Sequence, residues 1–251
     1  MQSKVNFRPL ILLSFFSLLI LFLVKHFVQA QTPASILSQV KSAESGVKDF
    51  SADLVVSDRN LANIKKFDNA WGEIMKLEKA TVAYKFPDKI RFDGFAQGIK
   101  ASYIQNGYIR QIRASMVKHR ENVKSASGKR QDTLDLGFLS SQLWTDNNVS
   151  VVSTSKGITQ LRFNPKWDGN DKTHQRVWIN KDLQIQKLEK YRANGDLLTK
   201  VEFTQHSKLG GKLPIGIQAK MYTADGGLMG TTTLRNIKIN TGLSDSFFST
   251  N

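Results

Sequence analysis

The chain has no cysteine among its 251 residues. That excludes disulfide staples, thiolate metal sites and thiol nucleophiles, so stability has to come from burial. It also excludes acylation at a cysteine directly after an export signal. Histidine is scarce as well, four residues in all, and none belongs to an H-E-x-x-H or similar ligand spacing. His26 lies in the leading segment, His119 in a basic stretch, and His174 and His206 stand alone near strand ends. Ser140-Ser141 lacks a G-x-S-x-G setting. Gly128-Lys129-Arg130 lacks the earlier glycine and the Ser/Thr of a phosphate loop. Asp168 and Asp171 share a polar loop at a spacing common by chance. No enzyme, no metal site and no cofactor is expected. Internal repeats are absent too, and acidic residues are in deficit, 21 against 36 lysines and arginines.

What is present begins in the first thirty residues. Lys4 and Arg8 precede an apolar run, Leu10 to Val24, broken only by Ser14 and Ser17, and Val28-Gln29-Ala30 follows. A basic start, an apolar core and an A-x-A-like exit are the anatomy of a secretory signal. The run is shorter than the roughly 20 residues that a membrane span needs. Cleavage after Ala30 is expected, leaving residues 31–251 as a single periplasmic domain. The alternative is an uncleaved anchor that holds the domain at the inner membrane, facing the periplasm. Outside the cytoplasm the basic excess points away from nucleic acid and towards anionic lipid or acidic partners. A basic surface kept soluble by its charge accounts for it equally well.

Thr32-Pro33 predicts a helix start, a capping hydroxyl followed by proline in the first turn. Ile36, Leu37, Val40, Ala43 and Val47 then recur at helical spacing, with Gly46 as a stop. At Phe50 the period changes to two: Phe50, Ala52, Leu54 and Val56 share one strand face. Val82, Tyr84 and Phe86 alternate before the break at Pro87-Asp88, and Ile90 and Phe92 continue after it. Asn106-Gly107, Lys156-Gly157, Asn180-Lys181-Asp182, Asn194-Gly195-Asp196 and Asp225-Gly226-Gly227 mark hairpin turns. About ten strands in neighbouring hairpins predict a mainly β fold with some helix: a curled antiparallel half-barrel. Lys118 to Arg130 reads as a basic loop. Asp132 to Trp144, crowded with Leu134, Leu136, Phe138, Leu139 and Leu143, reads as a short apolar helical insertion. Ile109, Trp178 and Tyr222 add apolar groups to second strand faces, so both faces of the sheet are expected to be covered. Helices on one side and loops on the other would do this. So would a curled sheet whose concave side is a lipid-sized apolar cavity under a lid.

Several stretches resemble the periplasmic carriers of outer-membrane lipoproteins, the LolA-like family. They are the helix followed by Lys48-Asp49-Phe50-Ser51-Ala52-Asp53-Leu54, and Gly72-Glu73-Ile74 leading to Lys85-Phe86-Pro87-Asp88-Lys89-Ile90-Arg91-Phe92-Asp93. Asn106-Gly107 falls where the family has its aspartate-glycine hairpin, and Arg176-Val177-Trp178-Ile179-Asn180 and Tyr191 to Asp196 are similar to a later hairpin. Leu234 to Asn240, then Asp245-Ser246-Phe247-Phe248, is similar to the closing strand and its D-x-x-F ending. The resemblance implies a half-open barrel wrapped over helices, with a cavity for acyl chains. In such carriers an arginine before the proline holds the lid closed. Here Phe86 stands in that place, with Lys85 beside it, so this chain departs from the family's latch.

The expected cavity and lid residues are Tyr84, Ile90, Phe92, Leu136, Phe138, Leu139, Leu143, Trp144, Ile215, Ile217 and Met221, taking the faces of Tyr84, Phe92 and Ile217 as inward. Lys85, Arg91, Lys118, Arg120, Lys129 and Arg130 are the expected contacts to headgroups or to a partner protein. The expected function is a monomeric periplasmic carrier of acylated lipoprotein or lipid, working between membrane-bound donor and acceptor proteins, with no nucleic acid involved. The alternative is an envelope lipid sensor that regulates an anti-sigma-type membrane partner.

Overall fold

Thr32 and Ser35 form a reciprocal cap. The Thr32 hydroxyl accepts from Ser35 N (3.1 Å) and the Ser35 hydroxyl accepts from Thr32 N (3.0 Å). Helix α1 (Pro33–Glu44) follows and buries Ile36 and Val40, as their spacing predicts. Gly46, at φ +91°, turns the chain into the first strand, a backbone geometry that favours glycine. The structure is a computed structural model that describes residues 31–66, 74–167 and 173–251. The signal segment 1–30, Gly72, Glu73, Asp168 and Asp171 lie outside the described residues.

The strands are β1 (Asp49–Ser57), β2 (Glu78–Lys85), β3 (Lys89–Ala96), β4 (Ile99–Asn106), β5 (Ile109–Ala114) and β6 (Val117–Asn122). After a long connection come β7 (Asn147–Ser155), β8 (Ile158–Pro165), β9 (His174–Asn180), β10 (Ile185–Tyr191), β11 (Leu197–Leu209), β12 (Leu213–Thr223) and β13 (Leu228–Ile239). Short helices α2 (Leu61–Lys65) and α3 (Gln142–Asp146) interrupt the order. All thirteen strands form one antiparallel, unclosed sheet in the order β6-β5-β4-β3-β2-β1-β13-β12-β11-β10-β9-β8-β7. The sheet is two meanders joined where β1 meets β13, with Leu54 opposite Leu234. Such a sheet curls. The connection from β6 to β7 therefore has to pass from one sheet edge to the other, and it carries residues 123–146 with it.

The half-barrel expectation holds, with thirteen strands among the described residues rather than about ten. Part of the predicted loop Lys118–Arg130 is strand: Val117–Asn122 pairs with β5, with Arg113 opposite Lys118. This edge strand is exposed on both faces, so it carries no alternating signal. Asp132–Trp144 is mostly tight turns rather than helix, and α3 begins only at Gln142. The segment's apolar and polar residues alike are largely buried, so no exposed face reveals a period that would separate turns from a helix. Among the described residues, no helix or strand is recorded packed on the outer face of β9–β12. Its own cations cover it: Lys187 Nζ lies 3.6 Å from the Trp178 ring centre and Lys200 Nζ 4.3 Å from that of Tyr222.

The outer face of β3–β5, by contrast, carries the C-terminal tail. Asp49 anchors it by accepting from Thr241 N (2.8 Å), Thr241 Oγ1 (3.1 Å), Gly242 N (3.1 Å) and Leu243 N (3.2 Å). Phe248 is fully buried there, and Gln111 donates to the Thr250 carbonyl at 2.8 Å. Residues 31–251 form one compact unit, and the apolar core between Ile36 and Met229 lies within it. That stretch therefore carries a core of its own.

Arg110 and Glu121 face each other across β5 and β6 as an ion pair, and Lys129 Nζ joins at 3.1 Å. Burial pushes the Glu121 carboxyl up, but the hydrogen bonds from Arg110 and Lys129 outweigh it and hold the group down at about 2. An unfolded glutamate titrates near about 4.3. The group's contribution to stability is therefore complete above that value and is lost as the pH falls through the folded one. Thermal midpoints of the wild type and of Glu121→Gln should differ by a constant amount above about pH 5 and converge as the pH falls towards 2. A gap that persists unchanged down to the lowest pH would remove the ion pair as its source.

Candidate functional site

The inner face of the curl is built from alternate residues: Phe50, Ala52 and Leu54 of β1, Val82 and Tyr84 of β2, Ile90 and Phe92 of β3, and Ile215 and Met221 of β12. The inserted segment fills it. Leu134 and Phe138 have no exposed surface, and Leu136, Leu139 and Leu143 are buried with them. The Phe138 ring sits edge-on to Phe50 (5.9 Å, 72°) and Tyr84 (5.3 Å, 82°), and 6.1 Å from Phe86. Phe86 also stands edge-on to Tyr84 at 4.9 Å. An aromatic contact thus occupies the position before Pro87. Trp144 meets Phe163 of β8 edge-on at 5.7 Å.

The backbone of the segment meets the sheet at a pair of glycines, Gly137 of the segment and Gly216 of β12. Gly216 N donates to the Gly137 carbonyl at 2.8 Å. A Cβ on Gly137, which also has φ +81°, would lie 2.7 Å from the Phe203 ring, and one on Gly216 would lie 2.3 Å from it. Only a residue without a side chain fits at either position.

Polar anchors tie the segment to both meanders and to α1. Gln105 of β4 donates to the Gln131 carbonyl (2.8 Å) and accepts from Gln131 N (3.1 Å). Tyr108 donates to Asp146 (2.8 Å), which also pairs with Arg130 (2.5 Å). From the other meander, Gln175 donates to Asp132 (2.7 Å) and Lys190 pairs with Asp135 (2.6 Å). Glu44, the last residue of α1, accepts from both Ser141 N (2.9 Å) and the Ser141 hydroxyl. Beside these anchors lies a polar pocket of about 20 Å³, room for one water, lined by Tyr84, Asp88, Gln105, Arg130, Ser140 and Asp146 among others. Burial raises the Asp88 carboxyl there. Arg130 opposes the rise and Asp146 adds to it. Burial likewise pushes the Tyr84 hydroxyl well above its ordinary range.

Of the expected cavity residues, Tyr84, Ile90, Phe92, Leu136, Phe138, Leu139, Leu143, Ile215 and Met221 meet in one core, with Trp144 and Ile217 at its partly buried margin. The basic residues do not form one patch. Lys85 and Lys89 both hold Asp245 of the tail (2.7 Å each), and Arg91 stacks on Phe247 (4.4 Å) while pairing with Asp93. Lys129 is paired with Glu121 and Arg130 with Asp146. Lys118 and Arg120 lie exposed on β6. Sequence reasoning missed Glu44, Asp135, Lys190, Phe203 and Gly216 as parts of the site. Gly137, inside an apolar run, was a visible signal of close approach. The charged partners left none, because they are far apart in the chain.

No protein-family profile matches the chain, and no curated protein matches it. Solved structures do. A LolA superfamily protein from Nitrosomonas europaea aligns over 88% of this chain and 98% of its own, at 14% identity and a TM-score of 0.59. A DUF1329 family protein from Desulfovibrio piger aligns over 85% and 95%, at 15% identity and 0.52. A domain from Vibrio parahaemolyticus assigned to outer-membrane lipoprotein sorting aligns over 85% and 94%, at 16% identity and 0.50. The chain is thus an open β half-barrel whose inner apolar face is filled by its own inserted segment. Its fold is LolA-like, as the sequence resemblance implied.

Proposed function

We propose that the domain is a periplasmic carrier that shields acyl chains on the inner face of its sheet and passes them between membranes. The observation that carries this reading is the segment 134–144, whose leucines and Phe138 fill the curl with apolar groups of the kind an acyl chain would supply. Exchanging these side chains for methylenes keeps apolar burial nearly constant. The polar anchors, rather than the apolar contact, then set how readily the segment yields. A diacyl anchor carries about thirty methylenes, each costing about 0.8 kcal/mol in water, so it does not cross an aqueous space bare. Transit also requires release, and a segment that competes for the same surface provides it. The LolA-like fold supports the reading, and so does the lipoprotein-sorting assignment of the Vibrio parahaemolyticus domain.

Residues 31–251, expressed in a bacterial periplasm and extracted with organic solvent, should yield bound lipid by mass spectrometry. The purified domain should also take up an environment-sensitive fatty-acid probe. Absence of both would sink the carrier reading.

A further inference from the structure

Two hairpin tips stand side by side at one end of the first meander. Ala96 pairs with Ile99 at the β3–β4 turn, Ala114 pairs with Val117 at the β5–β6 turn, and Ala101 lies directly opposite Ala114. Around the turn residues Gln97, Gly98 and Ser115, four apolar residues at these tips are bare: Phe95 is 41% exposed, Ile99 49%, Val117 67% and Met116 97%. Turns of this length favour glycine, asparagine and aspartate, and folding gives no reason to place an exposed methionine there.

Beside the tips, on the outer face, lies a groove of about 420 Å³ whose lining includes Arg91, Asp93, Ile99, Lys100, Arg113 and Ala114. Lys118, opposite Arg113, extends its basic wall. Arg113 is positioned by oxygens of Gln111, Ser249 and Asn251. No carboxylate among the described residues pairs with Lys100 or Lys118. Of the carboxylates nearby, Asp93 is held by Arg91, and Glu78 lies one strand further in, opposite Phe95.

We infer that this end of the sheet docks on an anionic phospholipid bilayer: Phe95, Ile99, Met116 and Val117 enter the headgroup–acyl boundary while Lys100, Arg113 and Lys118 engage lipid phosphates. Apolar groups flanked by cations, of which Lys100 and Lys118 have no carboxylate partner among the described residues, are the combination such a surface rewards, and neither half suffices by itself. The docking does not depend on the inner face holding an acyl chain.

The test is co-sedimentation of residues 31–251 with vesicles, made either of phosphatidylglycerol and phosphatidylcholine in equal parts or of phosphatidylcholine alone. Binding to the anionic vesicles should exceed binding to the neutral ones, and should fall as salt rises past about 0.1 M. The double variants Met116→Ser/Val117→Ser and Lys100→Glu/Lys118→Glu should each reduce it by about tenfold or more, with the thermal midpoint unchanged. Equal binding to both vesicles, binding unaffected by either variant, or no binding at all would overturn the inference. The last result would leave the tips to an acidic protein partner. Uptake of the fatty-acid probe by Met116→Ser/Val117→Ser should match the wild type, so failure of docking and failure of the carrier reading are read separately.

Discussion

Lys190→Met is expected to destabilise the domain by about 3–5 kcal/mol, the cost of stranding a buried charge. The Asp135 side chain is 1% exposed and that of Lys190 14%, and they meet at 2.6 Å. The second Asp135 oxygen accepts from Asp132 N (3.2 Å), inside the same turn that buries Leu134 and Leu136. Without the ammonium, the carboxylate has to be protonated or drawn towards water, and either loosens the turn from β10. Urea unfolding reads the loss. The double variant Asp135→Asn/Lys190→Met should recover most of it, because a neutral amide in that position carries no stranded charge. A loss under about 1 kcal/mol in the single variant would show that the pair is not desolvated. The same variant should speed uptake of the fatty-acid probe, since one anchor of the inserted segment is gone.

Phe138→Ala should cost about 3–5 kcal/mol, the range for truncating a fully buried phenylalanine. The ring has three aromatic neighbours from β1, β2 and the turn before Pro87 and no exposed surface, so the space cannot be refilled from solvent. The truncation also leaves a void lined by Phe50, Tyr84 and Phe86, where an acyl chain would lie on the carrier reading. Added fatty acid should therefore raise the thermal midpoint of Phe138→Ala more than that of the wild type. Equal shifts in the two proteins would place acyl binding, if it occurs, away from Phe138.

Much of the frame was legible in the sequence. The Thr32 cap, the Gly46 turn, the alternation from Phe50 to Val56 and the Asn106-Gly107 hairpin are local signals, and each element formed where its signal lay. The site was legible only in part. Leu134, Leu136, Phe138, Leu139 and Leu143 announced themselves by composition, yet their helical reading failed, because a largely buried segment has no exposed face to reveal its period. Edge strand β6 was missed for the opposite reason, being exposed on both sides. The basic residues were countable but not assignable. Whether Lys85 is free or holds Asp245 depends on a tail that returns to the sheet from far along the chain.

The sequence by itself determined the hairpins, the apolar inner face and the presence of an apolar insertion, since these follow from residue periods of two and from turn chemistry within a few residues. Only the tertiary structure decided what the insertion does. Because β1 pairs with β13, the connection from β6 to β7 has to pass from one sheet edge to the other, and the curl turns it into the filling of the inner face. Lys190 and Asp135, Gly216 and Gly137, and the two hairpin tips become neighbours through non-local strand pairing and packing, which no local pattern encodes.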